Sequence, residues 1–224
     1  MKTEGKLVLV CKLKGGAGAT TTCRELAAAA LADGRTVALI DLDSQGGITR
    51  WWNRRTKATG VEDAPALLQV SADQIPAMAA KLRGSYDLVV IDSPPTVHEQ
   101  IRLVAAAADL ALIPARPTID DLDAVGPIAR LLHGVVDLGF VLTQVPGKRS
   151  LDGAEALERL ASRAAVLGRT TFRSAYSRPP AAGSTGYETD KAVHEEISGL
   201  YERIKERLGW LDDPITATRN HPNT

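Results

Sequence analysis

The chain is poor in the residues that most metal, redox and anchoring chemistries need. Its 224 residues include two cysteines and four histidines. Cys11 and Cys23 fall in an apolar strand-like run and an alanine-rich helix-like run, with no CxxC spacing and no histidine beside them. That pattern argues against a zinc cluster or a disulfide framework, and reads as two buried, reduced thiols. No HExxH or GxSxG run is present and the histidines are scattered, which leaves metalloprotease and serine-hydrolase chemistry without a motif. Net charge is also lacking: 27 basic residues balance 27 acidic ones. Attraction to nucleic acid or to an acidic membrane must therefore come from a local patch. No apolar stretch approaches the roughly 18 residues of a membrane span, and Met1 is not followed by a charged-then-apolar leader. A cytoplasmic location is expected.

What is there is an alternation of short β-branched apolar runs with longer amphipathic segments, the pattern of βα units on a mostly parallel sheet. Strands are expected at Leu7–Leu13, Thr36–Leu42, Leu67–Val70, Asp87–Asp92, Leu110–Pro114, Val136–Thr143 and Arg169–Arg173. Those with unbroken apolar character, LVLV, VALI and LVVI, should be central and buried on both faces. Helices are expected at Thr20–Ala32, Gly47–Arg55, Asp73–Leu82, His98–Ala107, Asp121–Leu132, Leu151–Ala165 and Lys191–Leu208. The expected fold class is an α/β, P-loop NTPase-like domain spanning residues 1–211, with helices on both sheet faces. Residues 212–224 lack periodicity and read as a loose tail.

Lys14 to Thr22, KGGAGATTT, is a glycine-rich run between the first strand and the first helix. A phosphate-binding loop reads GxxxxGK[ST]: glycines let backbone N–H groups close on phosphate oxygens, the lysine meets the β/γ-phosphates and the hydroxyl faces Mg²⁺. Here Leu13 replaces the first glycine and Ala19 the lysine. Gly15, Gly16 and Gly18 keep the permissive backbone, Thr20 keeps the hydroxyl, and Lys14 supplies a cation at the other end. Two more strands end in acids that topology would bring to the same crevice: VALIDLDSQGG with Asp41 and Asp43, and YDLVVIDSPP with Asp92. Asp92 reads as a Walker B carboxylate sharing Mg²⁺ with Thr20. Any one of these aspartates could instead be a helix N-cap.

The runs KGGxGxTT, DxDxQ, apolar-DxPP and IPxxP together resemble the ParA/MinD group of deviant Walker ATPases, most of all its short ParA members, from Leu7 to about Arg207. With the first strand so near Met1, the helix-turn-helix region of longer members is expected to be absent. The resemblance implies ATP/ADP and Mg²⁺ as cofactors. It makes Lys14 the signature lysine that reaches a partner subunit's phosphates, and lets Gly15, Gly16, Ala17, Gly18, Ala19, Thr20 and Thr21 wrap the nucleotide. Thr20 and Asp92 would serve the metal, Asp43 would orient the attacking water with Asp41 near the metal, and Gln144 and Pro179 would flank the adenine. It further implies an ATP-dependent homodimer, non-specific DNA binding on the nucleoid and a centromere-binding ParB/ParG-type partner. Ala19 departs from the pattern. A lysine–phosphate hydrogen bond is worth about 1.5–3 kcal/mol, and a preorganised donor about 10²–10³ in rate, so hydrolysis is expected to be impaired and binding weakened unless something compensates.

Between Arg159 and Tyr187 the chain carries Arg163, Arg169, Arg173 and Arg178 with no acid, a candidate DNA-binding patch or an ordinary solvated face. Arg50-Trp51-Trp52 with Arg54, Arg55 and Lys57 could stack on bases, but reads better as tryptophans closing the core. The alternatives are a MinD-like membrane-cycling ATPase and a non-hydrolysing scaffold. Val193, Ile197, Leu200, Ile204, Leu208 and Leu211 form one stripe on the last helix, but Glu195, Glu196, Glu202 and Glu206 share its polar face with basic residues, which favours a core-docked helix over a membrane one.

Overall fold

The LVLV run of β1 (Lys6–Val10) is apolar at successive positions because both of its faces are covered. In the computed structural model, which describes residues 4–12, 14–60, 64–95, 99–147 and 151–210, Val8 and Val10 enter one apolar cluster, and Leu7 and Leu9 enter the other. β1 pairs in parallel with β4 (Leu88–Asp92) on one side and with β5 (Leu110–Ala115) on the other. The sheet continues outward through β2 (Val37–Asp41) and β3 (Ala66–Leu68) at one edge, and β6 (Asp137–Val145) and β7 (Ala165–Thr171) at the other. Among the described residues its order is β3-β2-β4-β1-β5-β6-β7, with every pairing parallel. The chain therefore reverses its winding beside β1, and the crevice beyond the carboxyl ends of β1 and its neighbours is the place such sheets reserve for ligands.

One face is covered by α1 (Ala19–Ala32), α2 (Gly47–Thr59), the short α7 (Gly186–Thr189) and α8 (Lys191–Leu208). The other is covered by α3 (Ile75–Ser85), α4 (Glu99–Ala107), α5 (Ile119–Leu132) and α6 (Leu151–Ala161). Seven expected strands and seven expected helices are present among the described residues, with shifted ends; His98, the expected start of α4, lies outside them. β1 stops at Val10, because Cys11 N–H turns to Leu112 O at 2.8 Å and Lys12 N–H to Ser93 Oγ at 2.9 Å; Leu13 lies outside the described residues. α6 ends at Ala161 and β7 starts at Ala165, four residues before the expected Arg169, since the AVLG run pairs with β6 before the arginine-bearing end does. α2 runs on to Thr59 and stops at Gly60, whose φ of 88° a residue with a side chain resists.

Trp51 is fully buried and donates its indole N–H to Ser184 O at 3.1 Å, so it closes the core as expected. α8 buries Val193, Ile197, Leu200, Tyr201, Ile204 and Leu208 against β7 and α1. Its apolar stripe is thus already occupied inside the molecule; Leu211 and the tail at 212–224 lie outside the described residues. Among the described residues no helix is long and apolar enough to cross a membrane.

Candidate nucleotide site

The glycine loop closes by positive φ at Gly16 (87°) and Gly18 (89°), and Gly18 caps α1 in the left-handed region. It is clamped from the end of β6: Thr143 Oγ1 donates to Ala17 O at 2.8 Å, and Gln144 Nε2 donates to Gly16 O at 2.6 Å. Gln144 itself sits at φ 54°, an uncommon place for a side-chain-bearing residue and one that concentrates at ligand sites. A Cβ on Gly47 would stand 2.8 Å from Thr20 Cγ2, so the glycines after DSQ let the start of α2 close on the loop's own threonine.

Thr20 Oγ1 donates to Asp92 Oδ2 at 2.7 Å. Asp92 is fully buried, and its other oxygen, Oδ1, has no hydrogen-bond partner. Burial pushes this carboxyl up to about 6, against the pull of Lys12 and Thr20. Among the described residues no group of three or more acidic, histidine or cysteine side chains is placed to hold a metal. The Thr20–Asp92 pair with its orphaned oxygen instead fits a Mg²⁺ that takes one or two protein oxygens and fills its shell from water and phosphate.

Asp43 is buried; its Oδ1 accepts from Gln45 N–H at 2.9 Å and its Oδ2 from Lys12 Nζ at 2.5 Å. Burial opposes ionisation of Asp43, yet the Lys12 and Gln45 hydrogen bonds hold it below the usual carboxylate range. Asp41 turns to α2, accepting from Thr49 N–H (2.9 Å), Thr49 Oγ1 (3.0 Å) and Asp43 N–H (3.3 Å), the helix-capping alternative for one of the acids. Lys14 is exposed at the rim and donates to Asp120 O at 3.2 Å.

Lys12 escaped the sequence reading because it stands inside a run taken as strand. The structure carries its ammonium to Asp43, to Thr20 Oγ1 at 3.3 Å and to Asp92 Oδ2 at 3.8 Å. The available signal was its spacing: two residues before Lys14, just where the apolar run ends.

A cavity of about 330 Å³ adjoins the loop on the β6–β7 side, lined by Gly18, Thr21, Gln144, Phe172, Arg173 and Tyr176 among others. It shares Gly18, Thr21 and Gln144 with the recess that holds the loop itself, so the two are continuous. Pro179 opens the 3-10 turn Pro179–Ala182. The four arginines do not form one patch. Arg163 precedes β7 and Arg173 follows it, and the intervening seven-residue strand separates them by roughly 20 Å at its ordinary rise. Arg169 donates to Gly147 O and Arg173 to Glu196, while Arg178 is exposed.

A doubly wound parallel sheet, a glycine loop opening the first helix and a hydroxyl–carboxylate pair at the switch point define a P-loop-type nucleotide-binding protein. Residues 5–146 match the VirC1 protein family. The chain is 30% identical over 212 residues to the maintenance of carboxysome distribution protein A of Gloeobacter kilaueensis, covering 91% of this chain and 94% of that one. Its fold is like that of apo McdA from Cyanothece (TM-score 0.75, 18% identical, 89% and 99% of the two chains). It is also like that of the septum site-determining protein MinD, solved with Mg-ADP, from Pyrococcus horikoshii (TM-score 0.72, 17% identical, 92% and 98%). The chain belongs to the ParA/MinD family of Walker ATPases.

Proposed function

We propose that the protein is a ParA-type nucleotide switch: it binds ATP or ADP with Mg²⁺ in the glycine loop, forms a nucleotide-sandwich homodimer, and in that form binds DNA without sequence preference to position a cargo. The observation that carries this reading is the Thr20–Asp92 pair, with one buried carboxylate oxygen left unpartnered at the base of a glycine loop. A bound magnesium would offset phosphate charge and take up that oxygen's unused lone pair, directly or through a bound water. Backbone N–H groups from Gly15 to Thr21 would hold the phosphates, and the cavity along β6–β7 would take the base.

Lys14, exposed and donating outward to Asp120 O, would serve a second subunit rather than its own loop. Turnover is slow on this reading. The loop lacks a lysine at position 19, and Asp43, the carboxylate that would orient water, is tied to Lys12. A ParB/ParG-type partner would relieve that block. The cargo includes DNA or a protein body such as the one named for the carboxysome relative.

Size-exclusion with light scattering tests the switch. A monomer mass without nucleotide and a dimer mass with ATP and Mg²⁺ is the expected result. One mass under every condition, with no ATP-dependent rise in melting temperature, would sink it.

A further inference from the structure

Position 19 holds alanine where a phosphate loop holds lysine, yet the recess is not without a cation. We propose that Lys12, delivered from the end of β1, is the phosphate-binding lysine of this loop, relocated from the first turn of α1 to the strand before it. The assignment rests on the nucleotide reading above.

The Lys12 side chain is 11% exposed, and a lysine is rarely buried so far unless its charge is used. Its Nζ lies 3.3 Å from Thr20 Oγ1 and 3.8 Å from Asp92 Oδ2, the two groups that face the metal and the terminal phosphates in a nucleotide loop. It lines one recess with Gly15, Gly16, Gly18, Ala19 and Thr20, so a β- or γ-phosphate held by that loop lies within its reach.

The base of the side chain is rigid. Lys12 N–H is fixed by Ser93 Oγ beyond β4, and Cys11 N–H by Leu112 O on β5. A strand end held from both sides thus aims the ammonium, as the first turn of a helix does for a lysine at position 19. Ala19 is 2% exposed and belongs to the apolar cluster on the α1 face of the sheet. Ala19 also lines the recess, so a lysine placed there would reach the same phosphates as Lys12. The other loop lysine, Lys14, is held outward by Asp120. The Lys12 ammonium rests on Asp43, and a bound phosphate would compete for it with that carboxylate.

Equilibrium titration of fluorescent ATP into wild type and variants tests this, with thermal unfolding of each nucleotide-free protein alongside. Lys12→Met should weaken ATP binding at least about 10-fold, the loss of one charge-assisted hydrogen bond to phosphate. Ala19→Lys alone should bring no gain, since it adds a second ammonium to an occupied recess. Lys12→Met combined with Ala19→Lys should return affinity to within about 3-fold of wild type. Lys12→Met with Asp43→Asn removes the ion pair as a unit, and should show the same loss of ATP binding if the single variant proves too unstable to titrate. Wild-type affinity in a folded Lys12→Met protein would overturn the assignment. So would a loss that Ala19→Lys fails to recover, because Lys12 would then only be keeping the acids in place. A wild-type chain that binds no ATP would overturn the nucleotide reading itself, before any variant is compared.

Discussion

Asp92 is the residue on which stability and function pull apart. Its carboxyl is fully buried, has one oxygen without a partner and is pushed up to about 6 from an ordinary value of 3.8. At pH 7 the folded protein therefore holds an ionised group that the unfolded chain would rather solvate, at a cost on the order of 3 kcal/mol. Because the folded value is the higher one, the native state keeps a proton that the unfolded chain has already lost between about pH 4 and pH 6. This contribution to stability is greatest at the acid end and falls as pH rises through that window. Asp92→Asn should lack that slope, melt above wild type at pH 7 without nucleotide, and show no stabilisation by ATP with Mg²⁺. Melting curves at a series of pH values check all three, and a wild-type slope that matches the variant's would contradict the account. Thr20 was legible in the sequence from its place in the glycine run, and Asp43 and Asp92 because each follows an apolar run at a fixed place in a known pattern. Lys12 was not, because one charged residue at a strand end looks like the strand's exit into solvent. What lets it be buried is Asp43, in the loop just past the end of β2 and 31 residues away.

At the scale of elements, the segment after β7 is where sequence reading stopped. Between Ser174 and Thr189 the chain makes the short turns Ser174–Tyr176 and Pro179–Ala182 and the four-residue α7, too brief for any periodicity. What fixes them lies in helices that are distant in sequence. Glu25 on α1 accepts from the N–H groups of Gly186 (3.0 Å) and Tyr187 (2.7 Å). Arg24 donates to Tyr176 O at 2.8 Å, and Arg55 on α2 pairs with both oxygens of Glu188 at 3.0 and 2.7 Å. Charged side chains on α1 and α2 thus hold the segment that follows β7, and Tyr176 within it lines the cavity beside the glycine loop. Gly183 is the tightest point of this docking: at φ 82°, a Cβ there would stand 2.5 Å from the Arg55 backbone. Gly183→Ala must strain the chain or lift the segment off α2, at a cost of about 2 kcal/mol or more. Urea unfolding should show the loss, together with weakened nucleotide binding, whereas Gly60→Ala, also at positive φ but with open space around it, should cost stability alone. A Gly183→Ala protein as stable as wild type would mean the segment is not docked this way.

At the scale of the molecule, the balance of 27 basic and 27 acidic residues means that the proposed DNA binding would depend on wherever a few arginines stand together and on how many copies of that place the proposed dimer carries. The arginines that sequence grouped are divided by β7: Arg163 precedes the strand, while Arg173 lines the cavity beside the glycine loop and Arg178 follows it in the same connection. In the proposed switch, the nucleotide acts on the second group. Arg178→Ala should therefore weaken ATP-dependent binding to random-sequence duplex and lower the slope of log K against log salt by about 1 for each phosphate that is no longer neutralised. Arg163→Ala should leave both nearly unchanged. Dimerisation doubles the number of phosphates that one rigid particle neutralises, so wild type with ATP should show roughly twice the salt slope of the nucleotide-free chain, with an affinity gain well beyond twofold. Anisotropy titrations at several salt concentrations, with and without ATP, read both quantities. An equal slope in the two states, or a larger effect from Arg163→Ala than from Arg178→Ala, would place DNA on another face and separate nucleotide binding from DNA binding in this protein.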